Sequence, residues 1–298
     1  LKAKRYTPIA DPKFILALEN TEVGEAYQLL SDHAYQVQQI TPHDQLLIWN
    51  IMTRGNSNNN GFGLREREQA TDQDLYLKRL RRITKRLAKQ IYLHPEMTVI
   101  ALQEVPSKEK EFNYFINAFN EALSTVAETE DELKQSTLWI IDSDNMRYKP
   151  FENNKFGVMS LFRRQSCLEI LGEAEIEGLT TQRGRVLAID MLLKHQSKLS
   201  PLRLVNAHFK FCLSREDTEQ FKTEQVQREI DVILTSHRGQ VIIAGDLNHD
   251  IDKLSQRNNQ PPDLNYKHPF KCTSFSRKDN GIFKHNIDGF IFKYNPNL

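Results

Sequence analysis

Gln240-Val-Ile-Ile-Ala-Gly-Asp246-Leu-Asn248 is an apolar run that stops on a glycine, a carboxylate and, two residues later, an amide. An apolar run without alternation suits a strand buried on both faces, because neither face then carries polar side chains. Two other runs have the same form: Gln45-Leu-Leu-Ile-Trp-Asn50 stops on an amide, and Thr98-Val-Ile-Ala-Leu-Gln-Glu104 stops on a carboxylate. A fourth, within Leu202–Phe211, carries an imidazole in Leu204-Val-Asn-Ala-His208-Phe. Polar residues therefore sit where buried strands end.

Between these runs the period changes to that of a helix. Leu80, Ile83, Leu87 and Ile91 recur at helical spacing behind Thr71 or Asp72 as caps. Phe112, Phe115, Ile116, Phe119 and Leu123 mark a second helix, and a third is expected from about Glu216 to Ser236. Further strands are expected at Thr137–Ile141, Phe156–Phe162, Arg185–Leu193 and Asn286–Phe292. Strands mixed with helices imply a layered α/β domain. No linker signal divides the chain. Residues 44–298 read as one domain, and residues 1–43 as an N-terminal extension with helical character around Glu22 to Gln38.

Composition narrows the function. Forty basic and 39 acidic side chains in 298 residues leave a formal charge of +1. That counts against a protein that coats bulk duplex nucleic acid, whose affinity comes mainly from phosphate neutralisation. A local basic cleft stays open. Cys167, Cys212 and Cys272 are odd in number and far apart, which argues against a disulfide framework and a zinc site. They favour a reducing compartment such as the cytoplasm. The chain begins with Leu1 and reads as a trimmed product, so secretion stays open. No apolar stretch is long enough to span a bilayer.

In open α/β sheets, ligands gather beyond the carboxyl ends of strands. If the four strands are neighbours, Asn50, Glu104, His208, Asp246 and Asn248 converge. Two carboxylates with amide oxygens suit Mg²⁺, which takes one or two carboxylates, keeps several waters and accepts phosphate oxygens.

Ile48-Trp-Asn50-Ile, Val99-Ile-Ala-Leu-Gln-Glu104-Val, Val205-Asn-Ala-His208 and Ile242-Ile-Ala-Gly-Asp246-Leu-Asn248 resemble, in order, four motifs of the endonuclease/exonuclease/phosphatase superfamily. Lys155-Phe-Gly-Val-Met-Ser-Leu-Phe162 agrees, as does Thr273-Ser-Phe275 followed by Asn286-Ile-Asp288-Gly. The likeness covers roughly residues 45 to 292. Each motif alone is weak, and the ordered set is specific. The resemblance implies a four-layer α/β sandwich of two mixed β-sheets packed face to face, with helices on both outer sides. It implies Glu104 and Asn50 at the metal, with Mg²⁺ as cofactor and Mn²⁺ as the substitute. Asp246 and Asn248 would position the attacking water and the scissile phosphate, His208 would bond a phosphate oxygen, and Asp288 would orient a final histidine. Arg54 and the Asn-rich loop 56–60 would overhang the site and contact substrate.

The activity implied is phosphodiester hydrolysis on single-stranded nucleic acid or a nucleotide, by a monomer. The alternative within the family is an inositol-phosphate or phospholipid phosphoesterase. Gly245-Asp-Leu-Asn248-His-Asp faintly resembles the former, but Asn286-Ile-Asp288-Gly stands in place of its Trp-Cys-Asp-Arg signature. The family closes on Ser-Asp-His, which has no counterpart after Asp288. Two expectations follow: if the last strand is absent, the sheet has an open edge beside 286–292, and Asp288 points into the cleft, either open to water or paired with a substitute such as His208 or His285. A catalytically silent scaffold is the reading from another class.

Each residue also has a plainer explanation: a turn after a strand for Asn50 and Asp246, a core histidine for His208, a loop residue for Glu104. The basic run Lys78, Arg79, Arg81, Arg82, Lys85, Arg86 and Lys89 fills positions left by the apolar stripe and reads as a solvated outer face.

Overall fold

A computed structural model of the chain describes residues 35–41, 44–51, 73–151, 156–179, 185–195, 198–209, 219–255, 264–267, 274–278, 281–285 and 288–293. In chain order the elements are β1 (Tyr35–Thr41), β2 (Asp44–Asn50), α1 (Gln73–Leu93), β3 (Met97–Pro106), α2 (Glu109–Thr125), α3 (Glu130–Thr137), β4 (Met146–Pro150) and β5 (Phe156–Phe162). There follow β6 (Leu168–Ala174), β7 (Val186–His195), β8 (Lys198–His208), α4 (Glu219–Thr235), β9 (Gln240–Asp246) and α5 (Ile251–Ser255). The last four strands are β10 (Leu264–Lys267), β11 (Ser274–Lys278), β12 (Gly281–His285) and β13 (Asp288–Lys293).

The strands form one sheet in the order β1-β2-β3-β5-β4, a second in the order β10-β13-β9-β8-β7-β6, and a small ribbon of β11 and β12. Each large sheet is mixed. Among the described strands its single parallel pair, β2 with β3 in the first and β8 with β9 in the second, is made of the long apolar runs. A helix bridges each of these parallel pairs, as parallel strands require.

Alternation along each strand divides the core into three layers. Leu46, Ile48, Val99 and Ala101 of the first sheet meet Leu202, Leu204, Ile242 and Ala244 of the second. On the other face of the first sheet, Leu47, Trp49, Ile100 and Leu102 pack on α1 and α2. On the other face of the second, Val205, Val241 and Ile243 pack on α4 and α5. Both sheets are therefore covered on both faces, the four-layer sandwich that the motifs imply. Leu80, Ile83, Leu87 and Ile91 of α1 are all fully buried in this arrangement, each contributing about 1.5–3 kcal/mol of transfer free energy.

Four expectations are overturned. Thr137–Ile141 is not a strand. Thr129 and Glu132 form a capping box that starts α3, and the backbone N–H groups of Leu138 and Trp139 close its end on Gln135 and Ser136. Trp139 and Ile141 then drop into the core as irregular chain; the Thr-x-x-Glu signature was the signal that marked the helix. Residues 35–38, assigned to a helical extension, lie in β1, which pairs antiparallel with β2. β13 is not left beside an open edge, because β10 pairs with it antiparallel from Leu264↔Lys293 to Lys267↔Phe290. Finally, the basic face of α1 is not wholly solvated. Lys78, Arg81, Arg82, Lys85 and Lys89 are exposed, but Arg79 is buried and Arg86 half-buried.

Candidate active site

The two parallel pairs point their carboxyl ends the same way across the sandwich, with β2 and β3 packed on β9 and β3 on β8. Asn50 and Asp246 are each two residues beyond an apolar residue facing between the sheets (Ile48 and Ala244), and His208 is four beyond Leu204 on that face, so alternation alone aims them inward. Glu104 is different. Leu102 and Val105 both pack on the helix side, and strict alternation would put Glu104 there too. The β3–β5 register breaks between Leu102 and Val105, and Glu104 takes a left-handed backbone conformation with φ 56°. That bulge turns its carboxylate back between the sheets. The conformation costs a non-glycine residue about 1–2 kcal/mol, and such strain collects at functional sites.

The result is a tight polar cluster. Asn50 Nδ2 donates to Asp246 Oδ2 at 2.8 Å and to Glu104 Oε1 at 3.2 Å. His208 Nε2 lies 3.7 Å from Glu104 Oε1 and 3.8 Å from Asp246 Oδ2. Glu104, His208 and Asp246 are 7%, 5% and 4% exposed, so their charges act in a medium far less polar than water. Burial pushes the Asp246 carboxyl above the ordinary carboxylate range. His208, the Asn50 amide and the Asn248 N–H favour its charged form, while Glu104 adds to the rise.

Asn248, at φ 49°, donates its backbone N–H to Asp246 Oδ1 at 2.9 Å and its side-chain amide to the Phe209 carbonyl at 2.9 Å. Gly245, just before Asp246, has φ 142°, and a Cβ there would approach the Ala207 carbonyl oxygen at 2.0 Å. Only glycine lets β8 and β9 pair this closely beside the cluster. The structure thus brings Asn50, Glu104, His208, Asp246 and Asn248 together. Backbone register sets Asp288 opposite Asp246, but the Asp288 side chain, like Arg54 and the loop 56–60, lies outside the described residues.

Two arginines at the site were missed. Arg185 lies with its guanidinium 4.5 Å from the Phe151 ring and 5.6 Å from that of Phe156. Phe156 in turn lies against the His208 imidazole. Burial lowers the Arg185 pKa, and the charges of Glu104 and Asp246 pull it back up. It is thus a cation within the field of both carboxylates. Arg79, 5% exposed, donates to the carbonyl of Ile51 at 2.6 Å and so fixes the chain where it leaves Asn50. Burial pushes its pKa down to about 9, opposed by Glu104, leaving it charged at neutral pH. The Arg185–Phe pairing crosses between elements far apart in the chain, and Arg79 sits inside a run of solvated cations. Neither has a local signature.

The donor set fits a hard cation. Among the described residues no group of three or more His, Cys, Asp and Glu side chains is arranged to hold a metal. Two buried carboxylates with amides beside them match the sparse ligand set that Mg²⁺ uses. Asn50 turns its nitrogen to both acids; amide nitrogen and oxygen interchange by a half-turn, so the same residue can present its oxygen to a cation.

No protein-family model matches the chain, and neither does any curated protein. Solved structures similar to it include the catalytic domain of human Nocturnin with bound sulfate, at 15% identity and TM-score 0.48 over 87% of this chain and 86% of that one. Another is D. rerio TDP2 complexed with a single strand DNA product, at 14% identity and TM-score 0.48 over 76% and 81%. A third is an endonuclease/exonuclease/phosphatase from Bacteroides vulgatus, at 13% identity and TM-score 0.43 over 70% and 78%.

Proposed function

We propose that this chain is a phosphoester hydrolase of the endonuclease/exonuclease/phosphatase type, acting as a phosphodiesterase on nucleic acid or a nucleotide. One observation carries the proposal. Two carboxylates from different sheets, Glu104 and Asp246, are buried side by side with His208 and share one amide donor. Burying like charges together is costly, and a fold keeps such a pair where a cation or a proton is to be handled.

Glu104, with Asn50 beside it, would hold Mg²⁺ or Mn²⁺, whose contribution when bound is neutralisation of charge on the phosphate oxygens. The chain's own residues supply the rest. Asp246, its proton affinity raised by burial, accepts a proton from water as the water oxygen bonds to phosphorus. The bond from phosphorus to the leaving oxygen breaks in line with that attack, and the leaving oxygen takes up a proton from solvent. Asn248 fixes the orientation of Asp246 through its backbone N–H. His208 and Arg185 are the donors placed to meet a non-bridging phosphate oxygen.

The test compares turnover of single-stranded RNA and DNA, inositol polyphosphates and sphingomyelin, each with Mg²⁺ and with EDTA, by the wild type and Asp246→Asn. Mg²⁺-dependent cleavage of the nucleic acids, lost by about 10²-fold or more in the variant, is expected. Preference for the inositol or lipid substrate would move the enzyme to the alternative within the family. Binding without turnover of any of the four would leave the scaffold.

A further inference from the structure

We infer that Asn206 and Gln103 form a positioning latch between the two sheets, which sets where Glu104 stands relative to His208 and Asp246. The β3–β5 ladder breaks after Leu102↔Met159, and the backbone carbonyls of that last regular pair take a further bond from a side-chain amide. The donor comes from the other sheet. Asn206 of β8 gives its side-chain amide to the Met159 carbonyl at 2.8 Å and the Leu102 carbonyl at 3.2 Å, with the Ser160 hydroxyl at 3.3 Å. Its own oxygen accepts from Gln103 Nε2 at 2.8 Å.

Asn206, Gln103 and Ser160 are all fully buried, at the boundary of a layer that is otherwise apolar. Gln103 immediately precedes Glu104. Asn206 lies two residues before His208 on the same face of β8. The bonds therefore tie the backbone that presents the acid in one sheet to the strand that presents the imidazole in the other. Apolar contacts between the sheets are non-directional and would tolerate a slip. Hydrogen bonds are directional, and those of the Asn206 amide to β3, β5 and Gln103 hold the two sheets in one geometry.

The activity readout rests on the proposed hydrolase function; the crystallographic one does not. Gln103→Met and Asn206→Leu, singly and together, would be compared with wild type by kcat and KM on the best nucleic-acid substrate, by cooperative unfolding, and by metal-free crystal structures. A misplacement of about 1 Å can cost about 10² in rate, so kcat is expected to fall by about 10- to 100-fold with KM nearly unchanged. The double variant should be no slower than the slower single one, because the bond that joins the two residues is already lost in either single variant. In the crystals the Glu104–His208 separation, 3.7 Å here, should lengthen. If Asn206→Leu does not fold, Gln103→Met decides alone, since it keeps the side-chain volume and removes only the bonds to Asn206 and to the Ala101 carbonyl. A folded Gln103→Met protein with Glu104 still at that separation overturns the inference, whether or not the wild type proves to be a hydrolase.

Discussion

Glu104→Gln neutralises one of two carboxylates in a buried pocket while keeping the side chain's size and an oxygen able to accept from Asn50. Both acids accept from one Asn50 nitrogen at 3.2 and 2.8 Å, so their oxygens are at most about 6 Å apart, where unit charges repel by about 3 kcal/mol at an effective dielectric of ~20. Losing the attraction of His208, 3.7 Å from Glu104, offsets part of that relief. The metal-free variant is expected to be more stable than wild type by about 1 kcal/mol, a rise in Tm of about 2–4 °C. Its turnover should fall by at least ~10²-fold. The assay is calorimetric unfolding in EDTA and again in millimolar Mg²⁺. Wild type should gain stability from the cation by mass action, and the variant should not. A variant that melts below wild type in EDTA and still gains stability from Mg²⁺ would refute the reasoning. Glu104 would then be a structural acceptor rather than one of two repelling acids awaiting a cation.

Stability of the metal-free protein should fall as pH rises through the lower acid range. Burial raises the Asp246 carboxyl above its unfolded value of 3.8, so between that value and the raised one the native state holds a proton that the unfolded state has released, and stability declines with pH. Asp246→Asn should flatten this part of the curve in denaturant titrations, and an unchanged slope would assign it to other groups. Arg203→Met should cost about 1–3 kcal/mol in urea unfolding, the cost of leaving its hydrogen-bond partners unpaired. Arg203 is 7% exposed, holds Asp190 through two bonds of 2.7 and 2.8 Å and also bonds Ser236 at the end of α4. Turnover should change by less than about two-fold, because Arg203 lies five residues, roughly 16 Å of strand, from His208. A large loss of activity in a folded Arg203→Met protein would mean that the packing of α4 on the second sheet reaches the site.

Much of the candidate site was legible in the chain itself. Asn50, Glu104, His208 and Asp246 stand out because uninterrupted apolar runs have to be buried strands, and a polar residue at the end of such a run has few places to be except the rim of a sheet. The helices were legible for the same reason: a stripe at positions 80, 83, 87 and 91 can be buried only as one face of a helix. Hydrophobic period is a local property, and these features are local. The misreadings occurred where two structures share one pattern. Thr137–Ile141 is apolar enough for a strand, yet it closes a capped helix and fills the core as irregular chain. β6 alternates buried and exposed residues as an edge strand does, and no apolar run announced it.

Other features required the tertiary structure because they depend on partners distant in sequence. The pairing of β10 with β13, which covers the edge expected to be open, is one. The burial of Arg79 within an otherwise solvated basic face is another, since its role is to hold the Ile51 carbonyl. Arg185 gained meaning only once Phe151 and Phe156 lay against it within the field of the two acids. Glu104 shows the division most clearly. The end of an apolar run identified it from sequence, but strict alternation would have aimed it at the helices. A register break against β5 and a left-handed backbone, stitched by an amide from the opposite sheet, turn it toward Asp246. Sequence period determines which residues must be buried. The direction of a side chain at a bulge depends on the strand paired beside it and the sheet packed across from it, and those contacts exist only in the folded molecule.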